Sequence, residues 1–268
     1  MSRKLDRIIK ETIRDFLNEQ IEEDRTEFDD GSVEVDNFNM IAGLMNKQDE
    51  DKVYFVQILS RHKDNPQFYY PENATSYITY YVFRDAQEMM EKKDEIKSIC
   101  QKLNARAYIY LNPRIYSVAK NYAETRLKDL FSKHEFYKYR RGHEMEVALG
   151  QSKDDDINFP NRNICFVDVD SDDEDKINKV KEIIAKAGIK PIGAYRSLNN
   201  GIHIILPNKN DARKLDFSEI DGGKSMGRWS TASLEIDKSV ILYCKISSPK
   251  GYGVQQRMQN RIAGKQRR

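Results

Sequence analysis

Apolar residues at Leu5, Ile8, Ile9, Ile13, Phe16 and Leu17 recur at helical spacing, so the chain opens on an amphipathic helix over residues 3–20. The acidic, glycine-containing stretch from Glu22 to Gly31 reads as a linker, which sets residues 1–45 apart from the remainder of the chain. Val53 to Leu59 and Tyr77 to Phe83 are rich in β-branched and aromatic residues and predict two strands, separated by a polar, aromatic loop over 64–73. Asp85 caps a helix running to about Leu103, Ala105 to Leu111 gives a further strand ended by Asn112-Pro113, and residues 116–131 predict another helix. From Asn163 onward the pattern is strand, helix 174–187 closed by Gly188, then a strand from about Lys190 to Arg196. Asn199-Asn200-Gly201 turns the chain into Ile202 to Leu206, and a last hairpin pairs Ser233 to Asp237 with Val240 to Cys244, turning at Lys238-Ser239. Strands and helices that alternate and then give way to hairpins predict an α+β fold with mixed sheets over 46–250, followed by a basic tail over 251–268. A doubly wound dinucleotide fold is excluded, since its GxGxxG turn is missing.

Composition narrows the classes. With 33% charged and 39% hydrophobic residues and no apolar run near the length of a membrane span, a soluble, cytoplasmic protein without a signal peptide is expected. Cys100, Cys165 and Cys244 are far apart in apolar settings, which suggests core thiols rather than a disulfide framework or a zinc site. The net charge of +2 means that any nucleic-acid surface must be a local patch.

The strongest chemical signal is Ile164-Cys-Phe-Val-Asp-Val-Asp170, an apolar strand running into two carboxylates two positions apart. Residues i and i+2 of a strand share a face, so Asp168 and Asp170 project together, and a divalent cation is the simplest compensation for their repulsion. Acids leading into a helix are the competing explanation, because Asp172, Asp173, Glu174 and Asp175 come directly after them. Two further polar positions stand out: His203 inside an apolar strand, and Asp237 at the end of Leu234-Glu-Ile-Asp. Each has an ordinary explanation by itself, His203 as a core or edge residue and Asp237 as a turn initiator. Asp221-Gly-Gly-Lys-Ser225 superficially suggests a phosphate loop, but Ser218 stands where the first glycine of that motif is required and no apolar strand precedes it.

Taken in order, Asp168-Val-Asp170, Gly201-Ile-His203 and Ile236-Asp237 resemble the three motifs of the archaeo-eukaryotic primase superfamily, particularly the compact primase-polymerases of phages and plasmids. That family has an apolar strand ending in Asp-x-Asp or Asp-x-Glu, a small residue two positions before a His, and a later apolar residue followed by Asp. Gly201 occupies a place often held by Ser. The resemblance covers roughly residues 50–250.

It implies a primase-like core made of an RRM-like module and an N-terminal αβ module, acting as a DNA-templated nucleotidyltransferase. Asp168, Asp170 and Asp237 would hold two Mg²⁺ or Mn²⁺ ions about 3.5–4 Å apart, and His203 would contact the nucleotide's phosphates, with Gly201 and Ser197 in the same turn. Arg196, Lys245 and Arg114 are candidate phosphate clamps, and solvated surface charge is the equally good alternative. Arg106 and Tyr108 share a strand face with Tyr110, and with Arg140 and Arg141 they make a candidate surface for a single-stranded DNA template. NTP or dNTP would be the substrate and a separate replicative helicase a partner, with no membrane involved. Two other functions fit the same residues: a non-catalytic nucleic-acid-binding replication factor, and a metal-dependent nuclease.

Overall fold

The computed structural model describes residues 25–65, 75–135, 147, 148, 150, 164–198, 201–221, 232–236 and 238–246. Its fold is α+β, as expected, but its sheets are antiparallel rather than mixed in direction. In chain order the elements are β1 (Arg25–Glu27), β2 (Val33–Asp36), α1 (Phe38–Leu44), β3 (Lys52–Arg61), β4 (Thr75–Phe83), α2 (Ala86–Glu91), α3 (Lys93–Leu103), β5 (Arg106–Tyr110), β6 (Arg114–Ile115) and α4 (Tyr116–Ser132). There follow β7 (Cys165–Val169), α5 (Glu174–Lys186), β8 (Gly193–Arg196), β9 (Ile202–Leu206), β10 (Ala232–Ile236) and β11 (Ser239–Ile246). The larger sheet runs β1-β2-β11-β5-β3-β4, with β6 on the start of β3; the smaller runs β10-β7-β9-β8. The smaller sheet with α5 is a split β-α-β arrangement: β7 and β8 are joined through the helix, and β9 lies between them.

β7 is central in the smaller sheet and apolar on both faces, which is why its sequence reads as a nearly unbroken apolar run. Cys165, Val167 and Val169 turn to one side, where Ile177, Val180 and Ile184 of α5 complete a core. Phe166 turns to the other and joins Tyr195 and Ile205 in the same apolar cluster as the core of the larger sheet. One apolar cluster therefore clamps the two sheets together. The acids after β7 divide by role. Asp173 accepts the amide of Asp175 as the cap of α5, with Glu174 and Asp175 in its first turn, whereas Asp168 and Asp170 take no part in the helix. At the far end of α5, Gly188 takes the left-handed conformation (φ +71°) that ends a helix without a Cβ clash.

Three expectations change. Residues 33–44 are no linker: Val33 and Val35 of β2 and Phe38 and Ile41 of α1 are buried in the main core, while Asp36 pairs with Lys97 of α3. The helix expected from Asp85 to Leu103 is divided at Lys92, so that Met89 from one piece and Ile96 and Cys100 from the other all reach that core. The final hairpin does not form. Both edges of β11 are occupied, by β2 and β5, so β10 pairs instead with β7 and the two strands belong to different sheets. The N-terminal helix, the glycine-lysine loop 222–225 and the basic tail lie outside the described residues. All three cysteines are buried free thiols, and burial pushes Cys165 up to about 11 and Cys100 and Cys244 up to about 12. No helix among the described residues is long and apolar enough to cross a membrane.

Candidate functional site

The register of the smaller sheet places His203 of β9 directly opposite Asp168 of β7, and Tyr195 of β8 directly opposite His203. All three lie on the face turned toward the larger sheet, the face that also carries Phe166, whose ring stacks on the imidazole at 5.1 Å between centroids. His203 Nε2 lies 3.1 Å from Asp168 Oδ1, and His203 Nδ1 lies 2.6 Å from the Tyr195 hydroxyl. The Tyr195 oxygen itself accepts the backbone N–H of Ile241 in β11 at 3.0 Å.

These contacts give the imidazole a direction. Burial, above all, raises the Tyr195 hydroxyl well above its ordinary pKa, so it stays protonated. With a lone pair already taken by the Ile241 amide, its proton is donated to Nδ1, which leaves the proton of neutral His203 on Nε2, aimed at Asp168. The Ile241 amide is available because β11 carries a bulge between Ile241 and Tyr243, at which the Ile241 carbonyl also accepts from Asn37. Tyr195→Phe removes both hydrogen bonds and is expected to cost about 1–3 kcal/mol. Nitrogen NMR of His203 is expected to show the loss of its single tautomer; an unchanged spectrum would mean that Tyr195 does not set it.

Close packing accounts for the glycine at position 201. A Cβ there would sit 2.3 Å from the Val169 carbonyl oxygen, a backbone atom next to Asp170, and 3.2 Å from Ser197 Oγ. Ser197 closes the β8–β9 hairpin by donating its amide to the Gly201 carbonyl at 2.8 Å. Gly201→Ser, which would make the motif conform, is therefore expected to destabilise the protein by about 1–3 kcal/mol through overpacking. A melting temperature equal to the parent's would show that the end of β7 yields freely.

Ile241, which donates to Tyr195, is paired with Tyr108 of β5, and on β3 Gln57 lies opposite Tyr108 and Leu59 opposite Arg106. Arg61, at the end of β3, donates to the Tyr108 hydroxyl at 3.4 Å. Arg106 is buried and held by Asp64 through Nε–Oδ2 and Nη2–Oδ1 contacts of 2.7 and 2.5 Å. Lys63, between Arg61 and Asp64, is exposed. Desolvation first, then the charges of Arg106 and Arg61, push its ammonium down to about 8, against the opposing pull of Asp64 and Asp170.

The other expected site residues are distributed differently. Arg196 follows Tyr195 on β8 and points to the opposite face, where it pairs with Glu174 of α5. Arg114 is fully buried with its guanidinium 4.8 Å from the Tyr110 ring centroid, so it cannot act as an open phosphate clamp. Lys245 lies 3.9 Å over the Phe28 ring, with β2 as its neighbour in the sheet, away from the Asp168 pair. Arg106 is neutralised by Asp64 and offers no free charge to a template; Tyr108 is half-buried. Asp237, Arg140 and Arg141 lie outside the described residues. β10 runs along β7 so that Ser233 is opposite Asp168 and Ile236 opposite Cys165, and the acid of β10 on the Asp168 face is Glu235, which pairs with Lys238 at 2.5 Å.

Among the described residues no three of His, Cys, Asp and Glu gather closely enough to hold a metal ion. The pair that does form has suitable chemistry: carboxylate oxygens at Asp168 and Asp170 suit Mg²⁺ or Mn²⁺, and Asp170 is exposed without a hydrogen-bonding partner among the described residues. Sequence reading missed Tyr195. Comparison with protein-family models, with curated proteins and with solved structures finds no match.

Proposed function

We propose that this protein is a DNA-templated nucleotidyltransferase of the primase-polymerase type, built on an RRM-like catalytic module packed against an N-terminal αβ module. The observation that carries this reading is the Asp168–His203 pair, fixed in register on neighbouring strands, with Asp170 just beyond it. Asp168 and Asp170, with Asp237 as the third acid, would hold Mg²⁺ or Mn²⁺, whose chemistry is to activate a 3′-hydroxyl and stabilise the leaving pyrophosphate. His203 presents its Nε2–H toward the same place and would donate it to a phosphate of the incoming NTP or dNTP. Phe166 and Tyr195 keep the imidazole in that attitude. Tyr108 would offer a ring to a template base. Three buried free thiols accord with a reducing, cytoplasmic setting.

The test is incorporation of labelled nucleotide by the full chain on a single-stranded DNA template with Mg²⁺ or Mn²⁺. Template-dependent product that vanishes on chelation is expected. DNA shortened in the absence of nucleotide would replace this reading with a nuclease. DNA binding without either reaction would leave a non-catalytic replication factor, the alternative favoured by the absence of a three-ligand group among the described residues.

A further inference from the structure

We propose that Asn37 is a positioning residue for His203, acting through the backbone of Ile241 and the hydroxyl of Tyr195 to keep the imidazole proton on Nε2. This role deepens the nucleotidyl-transfer reading, on which it rests only for what that proton meets, a phosphate of the incoming nucleotide.

The contacts form one unbroken chain. β2 stops pairing with β11 at Asp36, opposite Tyr243. Asn37 follows directly and takes the next two carbonyls of β11: its backbone N–H donates to Leu242 at 3.0 Å, and its side-chain Nδ2 donates to Ile241 at 2.7 Å. Ile241 and Leu242 stand where β11 bulges against β5, and at a bulge the strand ladder alone does not fix the direction of each peptide group. The N–H of Ile241 in turn donates to the Tyr195 oxygen at 3.0 Å, and that hydroxyl lies 2.6 Å from His203 Nδ1. Both backbone polar groups of Ile241 are thus held by side chains, its carbonyl by Asn37 and its N–H by Tyr195.

An asparagine is not explained here by the start of α1. Asn37 is the N-cap residue, yet its side chain makes no capping hydrogen bond, and Asp36 accepts the Phe38 amide at 3.2 Å instead. Asn37 is fully buried, and its Oδ1 has no hydrogen-bonding partner among the described residues. An unpartnered buried oxygen costs free energy, so the side chain is retained for its other end. What the amide adds is a donor, and Ile241 is what receives it. Turning the amide over would set Oδ1 against the Ile241 carbonyl, so the contact itself assigns the nitrogen.

The consequence reaches the site because a phenol can donate or accept. With the Ile241 N–H on its oxygen, Tyr195 gives its proton to Nδ1, and the imidazole carries its own on Nε2, 3.1 Å from Asp168 Oδ1. Once the Ile241 peptide turns away, Tyr195 is free to accept from an Nδ1–H instead, and the donor aimed at a phosphate is lost.

Nitrogen NMR of the full chain with labelled histidine, read with the imidazole neutral, is the test. The parent is expected to show one tautomer, protonated on Nε2. Asn37→Ala and the nearly isosteric Asn37→Asp, which keeps the volume but not the donor, are expected to give a mixture of both. Ile41→Val, which loosens the packing of the same helix without removing a hydrogen bond to β11, should keep the parent spectrum. Asn37→Ala added to Tyr195→Phe should change nothing further. For nucleotide incorporation, kcat/KM for the nucleotide is expected to fall about tenfold in Asn37→Asp with template affinity unchanged, as for one donor lost at an anionic group. A parent-like spectrum in both Asn37 variants, or the same mixture in Ile41→Val, overturns the role. Should the Asn37 variants not fold, the parent alone carries the test: its Asn37 side-chain amide protons are expected to resist exchange with D2O as the Ile241 N–H does, and exchange as fast as that of an exposed asparagine overturns it. A tautomer that depends on Asn37 in a protein that incorporates no nucleotide would uphold the positioning chain and sink nucleotidyl transfer; incorporation with a tautomer indifferent to Asn37 would do the reverse.

Discussion

The Asp168→Asn, Asp170→Asn double variant is expected to lose template-dependent nucleotide incorporation by on the order of 10³-fold while unfolding within about 2 °C of the parent. Both halves follow from geometry. Asp168 is over a third exposed and Asp170 more so, so neither is a packing residue. The asparagine introduced by Asp168→Asn keeps an oxygen that can accept the His203 Nε2–H, which preserves the Tyr195–His203 arrangement. What the exchange removes is negative charge at the place where β7 ends in two carboxylates on the same side. Addition of millimolar Mn²⁺ should raise the melting temperature of the parent and not of the variant, because a ligand of the native state alone stabilises it. Undiminished synthesis by a well-folded double variant would remove these acids from the chemistry, and with them the main support of the proposed function.

The largest effect on stability is expected at Asp64. The carboxylate is 5% exposed and the Arg106 guanidinium 6%, and they meet through two nearly parallel hydrogen bonds. Asp64→Ala leaves a buried guanidinium without its counter-charge and is expected to cost about 3–5 kcal/mol, read as a shift of the denaturant midpoint at constant m-value. The carboxyl group is not the only tie: the Asp64 carbonyl accepts the Asn104 side chain, and the Asn104 carbonyl accepts from Asn65, so the turn after β3 is pinned to the start of β5. Replacing both partners, Asp64→Leu with Arg106→Met, should recover most of the loss, since the cost lies in stranding one charge rather than in lacking the pair. A single variant within about 1 kcal/mol of the parent would mean that water reaches the guanidinium and the pair is not truly buried.

Much of the fold is legible in the chain because the signals are local. β3, β4, β5, β7 and β9, and the helices α4 and α5 with the Asp173 cap and Gly188 end, all stand where hydrophobic periodicity and capping residues put them. β2 escapes such a reading although Val33-Glu-Val-Asp36 alternates correctly, because four residues in an acidic stretch carry too short a pattern to compete with a linker. β10 and β11 have the look of a hairpin at sequence level, since they are close, strand-like and joined by two residues. Nothing in that segment reveals that β2 and β5, far away in the chain, take both edges of β11.

Within the site the same division holds. The amino-acid order alone determined that two acids end a buried strand and that a histidine sits on another, because alternation along a strand assigns faces without reference to any partner. Tertiary structure decided that these strands are neighbours and in register, and that Tyr195 orients the imidazole through a bulge in the other sheet. Whether an arginine is a clamp or a structural pair depends on what is brought beside it: Arg106 is claimed by an acid 42 residues earlier and Arg196 by one 22 residues earlier. Charge acts through space and is neutralised by whichever neighbour arrives, so its availability belongs to the folded molecule, whereas the period of apolar residues belongs to the chain.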